Sequence, residues 1–231
     1  MLFSQHYAEP LCAPSRYALM TGIDGGNAYI RGNHEWEERG DVWNFKAMEA
    51  NLFLEGQLPI PDSTITIAKI LKRAGYHTAM IGKWGLGGPA STGEPNKQGF
   101  DYFYGSLCQR QDHQSYPGHL WENDTRVFLD NKVIDPNYKL PQTADLKDSS
   151  NYALSDQYDY SPDLMIRAAI KYIDTQKDHP FFLYYPSPLP HASMQAPAKW
   201  VNYYHKNLER KRLLPAAVMH LVYIRGPPGL Q

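Results

Sequence analysis

Cysteine is nearly absent: the 231 residues hold two, Cys12 and Cys108. At most one disulfide could form, so no disulfide framework carries the fold, and cysteine usage says little about the redox compartment. An excess of one charge sign is also missing, since 23 Lys and Arg face 24 Asp and Glu for a net charge of −1. Nothing in that balance suggests the basic surface of a nucleic-acid binder. No apolar run is long enough to cross a bilayer. Met1-Leu2-Phe3-Ser4-Gln5-His6 has neither a basic start nor an apolar core, so it does not read as a signal peptide. Internal repeats and low-complexity tracts are lacking too.

What is present is ordinary globular material. The hydrophobic fraction is 42% and charged residues make up 20%, and the length suits one good-sized domain with a core. Aromatic rings with polar tips are plentiful, with 17 Tyr and 5 Trp. Such rings line carbohydrate and aryl sites and also fill cores, and composition does not choose between the two.

Residues 12–22 organise the rest. Pro14 fits a first helical turn, because its missing N–H is unneeded there and its φ is already helical. Tyr17 to Met20 suit a short helix and Gly22 a stop. Cys12 then stands at the positive end of a helix, where unpaired N–H groups favour an anion. Arg16, one turn on, adds a planar cationic fork suited to an oxyanion. Physics alone reads this as a nucleophile beside an anion site.

Residues 23–61 read as loops wrapping the front of the domain, broken by Gly25-Gly26, Gly32-Asn33, Gly40 and Pro59-Ile60-Pro61. Trp36, Trp43, Phe45, Leu52, Phe53 and Leu54 offer apolar surface to bury. Asp62-Ser63 supplies an N-cap, and Ile67, Ala68, Ile70, Leu71 and Ala74 make one helical face ended by Gly75. A strand over 76–81 follows, which puts Lys83 just past its carboxyl end. A second unit repeats the scheme. Ser161 is the expected N-cap and Pro162 the first helical residue, and Met165, Ile166, Ala169, Ile170 and Ile173 form the stripe. Pro180 to Tyr185 reads as a strand buried on both faces, and His191 lies in the loop beyond it. Two helix–strand units, each delivering a polar residue to one sheet edge, predict an α/β domain with a largely parallel sheet and its site at that edge. Between them, residues 118–124 and 127–133 predict a hairpin turning at Asp130-Asn131. His34, His77 and His119 read as structural or surface residues.

The run Cys12-Ala13-Pro14-Ser15-Arg16 with Leu19-Met20-Thr21-Gly22 resembles the first signature of the type I sulfatases at every position that defines it. Gly75 through Trp84 resembles the second signature, and Pro190-His191 after an apolar strand resembles the third landmark. The resemblance runs over about residues 3–205 and points to an arylsulfatase-like bacterial subgroup. It implies an alkaline-phosphatase-like α/β sandwich, its largely parallel central sheet flanked by helices and incomplete at both ends. Residues 1–207 would be a partial catalytic domain, an internal piece of a longer sulfatase, and 208–231 an unmatched tail.

The function implied is hydrolysis of sulfate monoesters, aryl or carbohydrate, through a formylglycine made from Cys12. Its hydrated aldehyde is the nucleophile. Arg16 would hold the formylglycine oxygens, Lys83 would neutralise the sulfate, and His191 would protonate the leaving oxygen, a task that suits imidazole. The implied partners are a formylglycine-generating or anaerobic sulfatase-maturating enzyme, with no nucleic acid and no transmembrane segment. The implied location of the full-length protein is periplasmic or extracellular. Family members commonly carry a histidine two places after the lysine, where this chain has Gly85. A glycine cannot transfer a proton. His113, in Gln109-Arg110-Gln111-Asp112-His113, is the candidate replacement, and a loop histidine without a role fits the sequence equally well. The resemblance also implies one calcium ion, with Cys12 among its ligands and carboxylates before the cysteine and after the histidine. Eleven residues precede Cys12 without an aspartate, and none follows His191. Two other readings stay open: a phosphonate or phosphate monoester hydrolase of the same superfamily, and an inactive truncated fragment.

Overall fold

The computed structural model describes residues 8–113, 115–132, 141–144, 148, 151, 158–191 and 195–208. Helix α1 spans Cys12–Thr21, α2 Phe45–Ala50, α3 Ile67–Arg73, α4 Ser161–Gln176 and α5 Ala198–Leu208. The strands are β1 (His77–Lys83), β2 (Tyr102–Ser106), β3 (His119–Glu122), β4 (Thr125–Phe128) and β5 (Phe181–Tyr184). They form one sheet in the order β4-β3-β2-β1-β5. Three of its strands are parallel, with β1 between β2 and β5, while β3 and β4 add an antiparallel hairpin. The carboxyl ends of β1, β2 and β5 therefore share one edge, where Lys83, Ser106 and the chain leading to His191 emerge.

Side chains alternate across a strand, so β1 feeds two cores. Met80 faces a cluster built from Ala13, Tyr17 and Met20 of α1, Ala68 of α3, and Trp84, Phe100, Phe103 and Trp121. Ala79 and Ile81 face Met165, Ala169 and Tyr172 of α4. Helices thus cover both faces of the sheet.

Several local expectations shift. The N-cap of α3 is Thr66, whose hydroxyl accepts from the Lys69 N–H, whereas Asp62-Ser63 lies in a preceding turn. Only Ala68 of the α3 stripe is fully buried, and Ile67 and Ile70 are exposed. Tyr160 is the residue before α4, and the Ser161 hydroxyl turns away to Asp112. Tyr172 takes the buried place expected of Ile170 and Ile173, which are exposed. Among the described residues β5 pairs with β1 alone, and it is half-buried rather than enclosed on both faces. The hairpin turns at Asn123-Asp124, not Asp130-Asn131. Asn123 has φ +54, a conformation Asn tolerates, and its Oδ1 accepts from the Phe103 N–H. Asn131 instead ties residues 117 and 159 together.

The front segment is more ordered than a run of loops. It holds α2 and two short 3-10 turns, Glu37–Arg39 and Leu52–Leu54. Ala28, Ile30, Val42, Met48 and Ile60 are its buried apolar residues, while Trp43 is 57% exposed and Phe53 is also exposed. A buried polar knot fastens it to the sheet. His119 Nε2 meets Glu55 Oε2 at 2.8 Å, its Nδ1 meets both Glu49 oxygens at 3.2 Å, and Trp121 Nε1 donates to Glu55 Oε1 at 2.7 Å. Burial opposes the charge on His119, yet Glu55 and Glu49 outweigh it and hold the imidazolium up to about 9.

This raised pKa makes a stability prediction. A group held above its unfolded value stabilises fully below that unfolded value, about 6.5, and the contribution fades as pH rises through about 9. Urea unfolding should give a stability lower by on the order of 3 kcal/mol above pH 9.5 than at pH 6 from this group. His119→Gln should lack that pH-dependent component, and an unchanged slope in the variant would show that the knot does not carry it.

Candidate active site

Cys12 is the first residue of α1, and Gly22 caps the helix in the left-handed conformation. The side chain of Leu11 cannot cap, so Asn33 Oδ1 from the front segment accepts the Ala13 N–H at 2.9 Å. Arg16 lies one turn along, is within hydrogen-bonding reach of Cys12, and donates from Nη1 to Gln109 Oε1 at 3.0 Å. Burial lowers its pKa, against the pull of Tyr184 and Cys12.

Lys83 is the last residue of β1 and 2% exposed. Its N–H bonds Pro186 O at 2.9 Å and its register partner is Ser106, so both neighbouring strands fix its position. Burial drives its ammonium down to about 8 and Arg16 adds to this, while Cys12 and Asp112 oppose it. His191 follows a cis Leu189–Pro190 peptide. Its ring stacks on that of His113, with centroids 3.6 Å apart at 18°. Burial, then Lys83, lowers His191 to about 4. Burial, then Lys83 and His191, lowers His113 to about 2. Two imidazoles in face contact beside a buried ammonium cannot both hold an extra proton, so the pair is neutral at rest and accepts one proton at most. The buried Nδ1 atoms of both rings lack a hydrogen-bond partner among the described residues.

Four separate stretches thus bring Cys12, Arg16, His113 and His191 within electrostatic reach of Lys83 at the carboxyl edge of the sheet. Chemically this is a thiol ringed by two permanent or near-permanent cations and a neutral imidazole pair, a cradle for a compact anion.

Gly85 has φ +77, and a Cβ there would sit 2.9 Å from Gln109 Oε1 and 3.2 Å from its Cβ. The space a side chain at 85 would take is filled by Gln109, which uses it to hold Arg16. Gln109 itself is set by its N–H, which donates to Gln57 Oε1 at 2.9 Å. Sequence reasoning missed Gln109, Asp112, Ser106 and Ser161. The polar run 109–113 straight after an apolar strand was the available signal, and it was spent on His113 alone.

The calcium implied by the resemblance does not fit these residues. Among the described residues no three of His, Cys, Asp and Glu gather where they could hold a metal ion. The side chains around Cys12 are cations, the wrong sign for ligands of a hard divalent ion.

Fold and site together define an α/β protein whose sheet edge gathers two cationic side chains beside a helix-borne cysteine. The Sulfatase family model matches residues 1–213, and the chain belongs to that family. The arylsulfatase of Klebsiella aerogenes is 27% identical over 213 residues, covering 91% of this chain and 39% of that enzyme. The human steryl-sulfatase is 36% identical over 143 residues, covering 57% and 22%. The chain therefore spans well under half the length of these curated relatives. A crystal structure of Ps i-CgsB in complex with k-i-k-neocarrahexaose aligns at a TM-score of 0.58 and 24% identity, covering 94% of this chain and 43% of that one. The fold is the alkaline-phosphatase-like sandwich of the family's solved structures.

Proposed function

We propose that this chain carries the sulfate-handling part of a sulfuric ester hydrolase, which cleaves aryl or carbohydrate sulfate monoesters through a formylglycine made from Cys12. The observation that carries the reading is the meeting of Cys12, Arg16, Lys83 and His191 at one sheet edge, in a chain of this family. Oxidation of Cys12 by a maturating enzyme would leave an aldehyde whose hydrate supplies the attacking oxygen. Arg16, pinned by Gln109, orients that group at the start of α1. Lys83 meets the non-bridging sulfate oxygens, where charge spreads in the transition state. The bound anion offsets the repulsion from Lys83, so the His113–His191 pair can take up its one proton. His191 would give this proton to the leaving oxygen as a diol oxygen bonds to sulfur and the ester O–S bond breaks, and His113 would take the proton of the remaining diol hydroxyl as sulfate leaves and the aldehyde re-forms. The periplasm or extracellular space is the proposed setting, and no helix among the described residues is long and apolar enough to cross a membrane.

Co-expression with a formylglycine-generating enzyme, followed by mass spectrometry with an aldehyde-reactive probe, should find the aldehyde at Cys12. In competition calorimetry on the purified chain, 4-nitrophenyl sulfate should displace inorganic sulfate and outbind 4-nitrophenyl phosphate at least tenfold. Tighter phosphate-ester binding would favour a phosphate or phosphonate monoester hydrolase. A thiol left wholly unmodified in such a host would remove the nucleophile.

A further inference from the structure

Lys83 is a buried ammonium, and among the described residues no ion pair reaches it. The charged or titratable groups that face it are Arg16 and Cys12 from α1, and Cys108, Asp112 and His113 from the loop after β2, with His191 beyond β5. Asp112 is the one carboxylate in that ring. Alone, a cation this deep beside a guanidinium would shed its proton, and the anion site would lose its main charge.

Asp112 is itself wholly buried, which an isolated carboxylate cannot sustain without donors. Ser106 Oγ donates to Oδ2 at 2.9 Å and Ser161 Oγ to Oδ1 at 2.5 Å. These serines come from different places. Ser106 ends β2 in register with Lys83, and Ser161 opens α4 from the other side of the sheet. The Ser161 N–H donates to Ser115 O at 3.0 Å, closing the loop on the helix end. Ser161 forgoes a cap bond to its own helix to hold this carboxylate. Two hydroxyls spent on one buried acid, one of them beside Lys83 in register, amount to a built support.

We propose that Asp112 is a positioning residue for Lys83: a carboxylate clamped by Ser106 and Ser161, whose negative charge keeps the buried ammonium protonated and in place to receive the sulfate group. The proposal rests on the functional reading above. Burial lifts Asp112 to about 6 against the two serines and Lys83, while Lys83 stands at about 8. Between these values the acid is ionised and the ammonium charged, so the pair is set for neutral pH. Tyr185 also faces Asp112 and is lifted to about 12, so it stays neutral throughout.

The test is the pH profile of inorganic sulfate binding to the purified chain by calorimetry. The parent should bind sulfate steadily from pH 6 to 7.5 and weaken above about 8, and Lys83→Ala should lose binding throughout. Asp112→Asn keeps the shape and removes the charge, with one serine still donating to the amide oxygen and the other turned to accept from the amide NH2. Its alkaline limb should move down by about one pH unit, so affinity falls about threefold at pH 7.5 and about fivefold at pH 8 while affinity at pH 6 matches the parent. Ser106→Ala, which weakens the clamp without touching the charge, should shift the limb the same way by less, and it serves if Asp112→Asn does not fold. An unmoved limb in folded variants, or a loss equal at every pH, overturns the role of Asp112 while the sulfate site stands. Absence of any Lys83-dependent sulfate binding overturns the functional reading, and this proposal with it.

Discussion

Gly105→Ala should leave no folded protein at 25 °C. Gly105 lies opposite Gly82 in the parallel pair β1–β2, and both glycines have positive φ, +153 and +137. A Cβ on Gly105 would land on the carbonyl oxygen of Gly82, and one on Gly82 would land on that of Pro186. The obstacle is backbone in each case, so no rotamer change can relieve it. Relief means prising apart the centre of the sheet. The cost exceeds the ~4–5 kcal/mol of the severest ordinary substitutions and is comparable to the whole stability of a domain, about 5–15 kcal/mol. The close approach serves the site, because the next residues on the two strands are Lys83 and Ser106. Far-ultraviolet circular dichroism and urea titration of the variant would check it. A variant unfolding within about 1 kcal/mol of the parent would show that the strands can separate cheaply there.

Gly85→His, which restores the histidine common in the family, should weaken sulfate binding about tenfold or more instead of improving the site. The left-handed backbone at Gly85 costs a side-chain-bearing residue about 1–2 kcal/mol. The larger effect is displacement of Gln109, whose Oε1 fixes Arg16. An Arg16 without its anchor must be ordered by the ligand, and each tenfold loss of affinity corresponds to about 1.4 kcal/mol. Calorimetry with inorganic sulfate, alongside thermal melting to separate strain from binding, gives the comparison. Affinity equal to the parent would show that Arg16 needs no hold from Gln109. The departure at Gly85 and the glutamine at 109 are thus two halves of one arrangement, legible as a gap in the sequence but as a filled space in the fold.

Local signals and tertiary signals divide cleanly along these lines. The α1 start at Cys12, its stop at Gly22, the two helix–strand units and the delivery of Lys83 and His191 to one edge were all legible, because each depends on neighbours within about one element. The hairpin was legible as well, though not its turn. Asn123-Asp124 and Asp130-Asn131 offer the same turn chemistry, and pairing with β2 decided between them. Likewise Asp62-Ser63 and Thr66 are equivalent caps by residue type. Thr66 is chosen because its hydroxyl also donates to Gln98 O, 32 positions away.

By itself, the sequence determined the family, the cysteine at the head of α1 with its cationic helix turn, and the edge of the sheet at which Lys83 and His191 stand. Those follow from short-range spacing: a residue at the first turn of a helix or the last place of a strand is put there by its own segment. Only the tertiary structure decided that His113 stacks on His191, that Gln109 fills the space above Gly85, and that Asp112 stands behind Lys83 in the grip of Ser106 and Ser161. Each of these joins residues far apart in the chain, and each is imposed by exclusion from water. Once a charge or a ring is buried, it must be satisfied by whatever the packed elements bring within reach, and no local pattern states in advance which groups those will be.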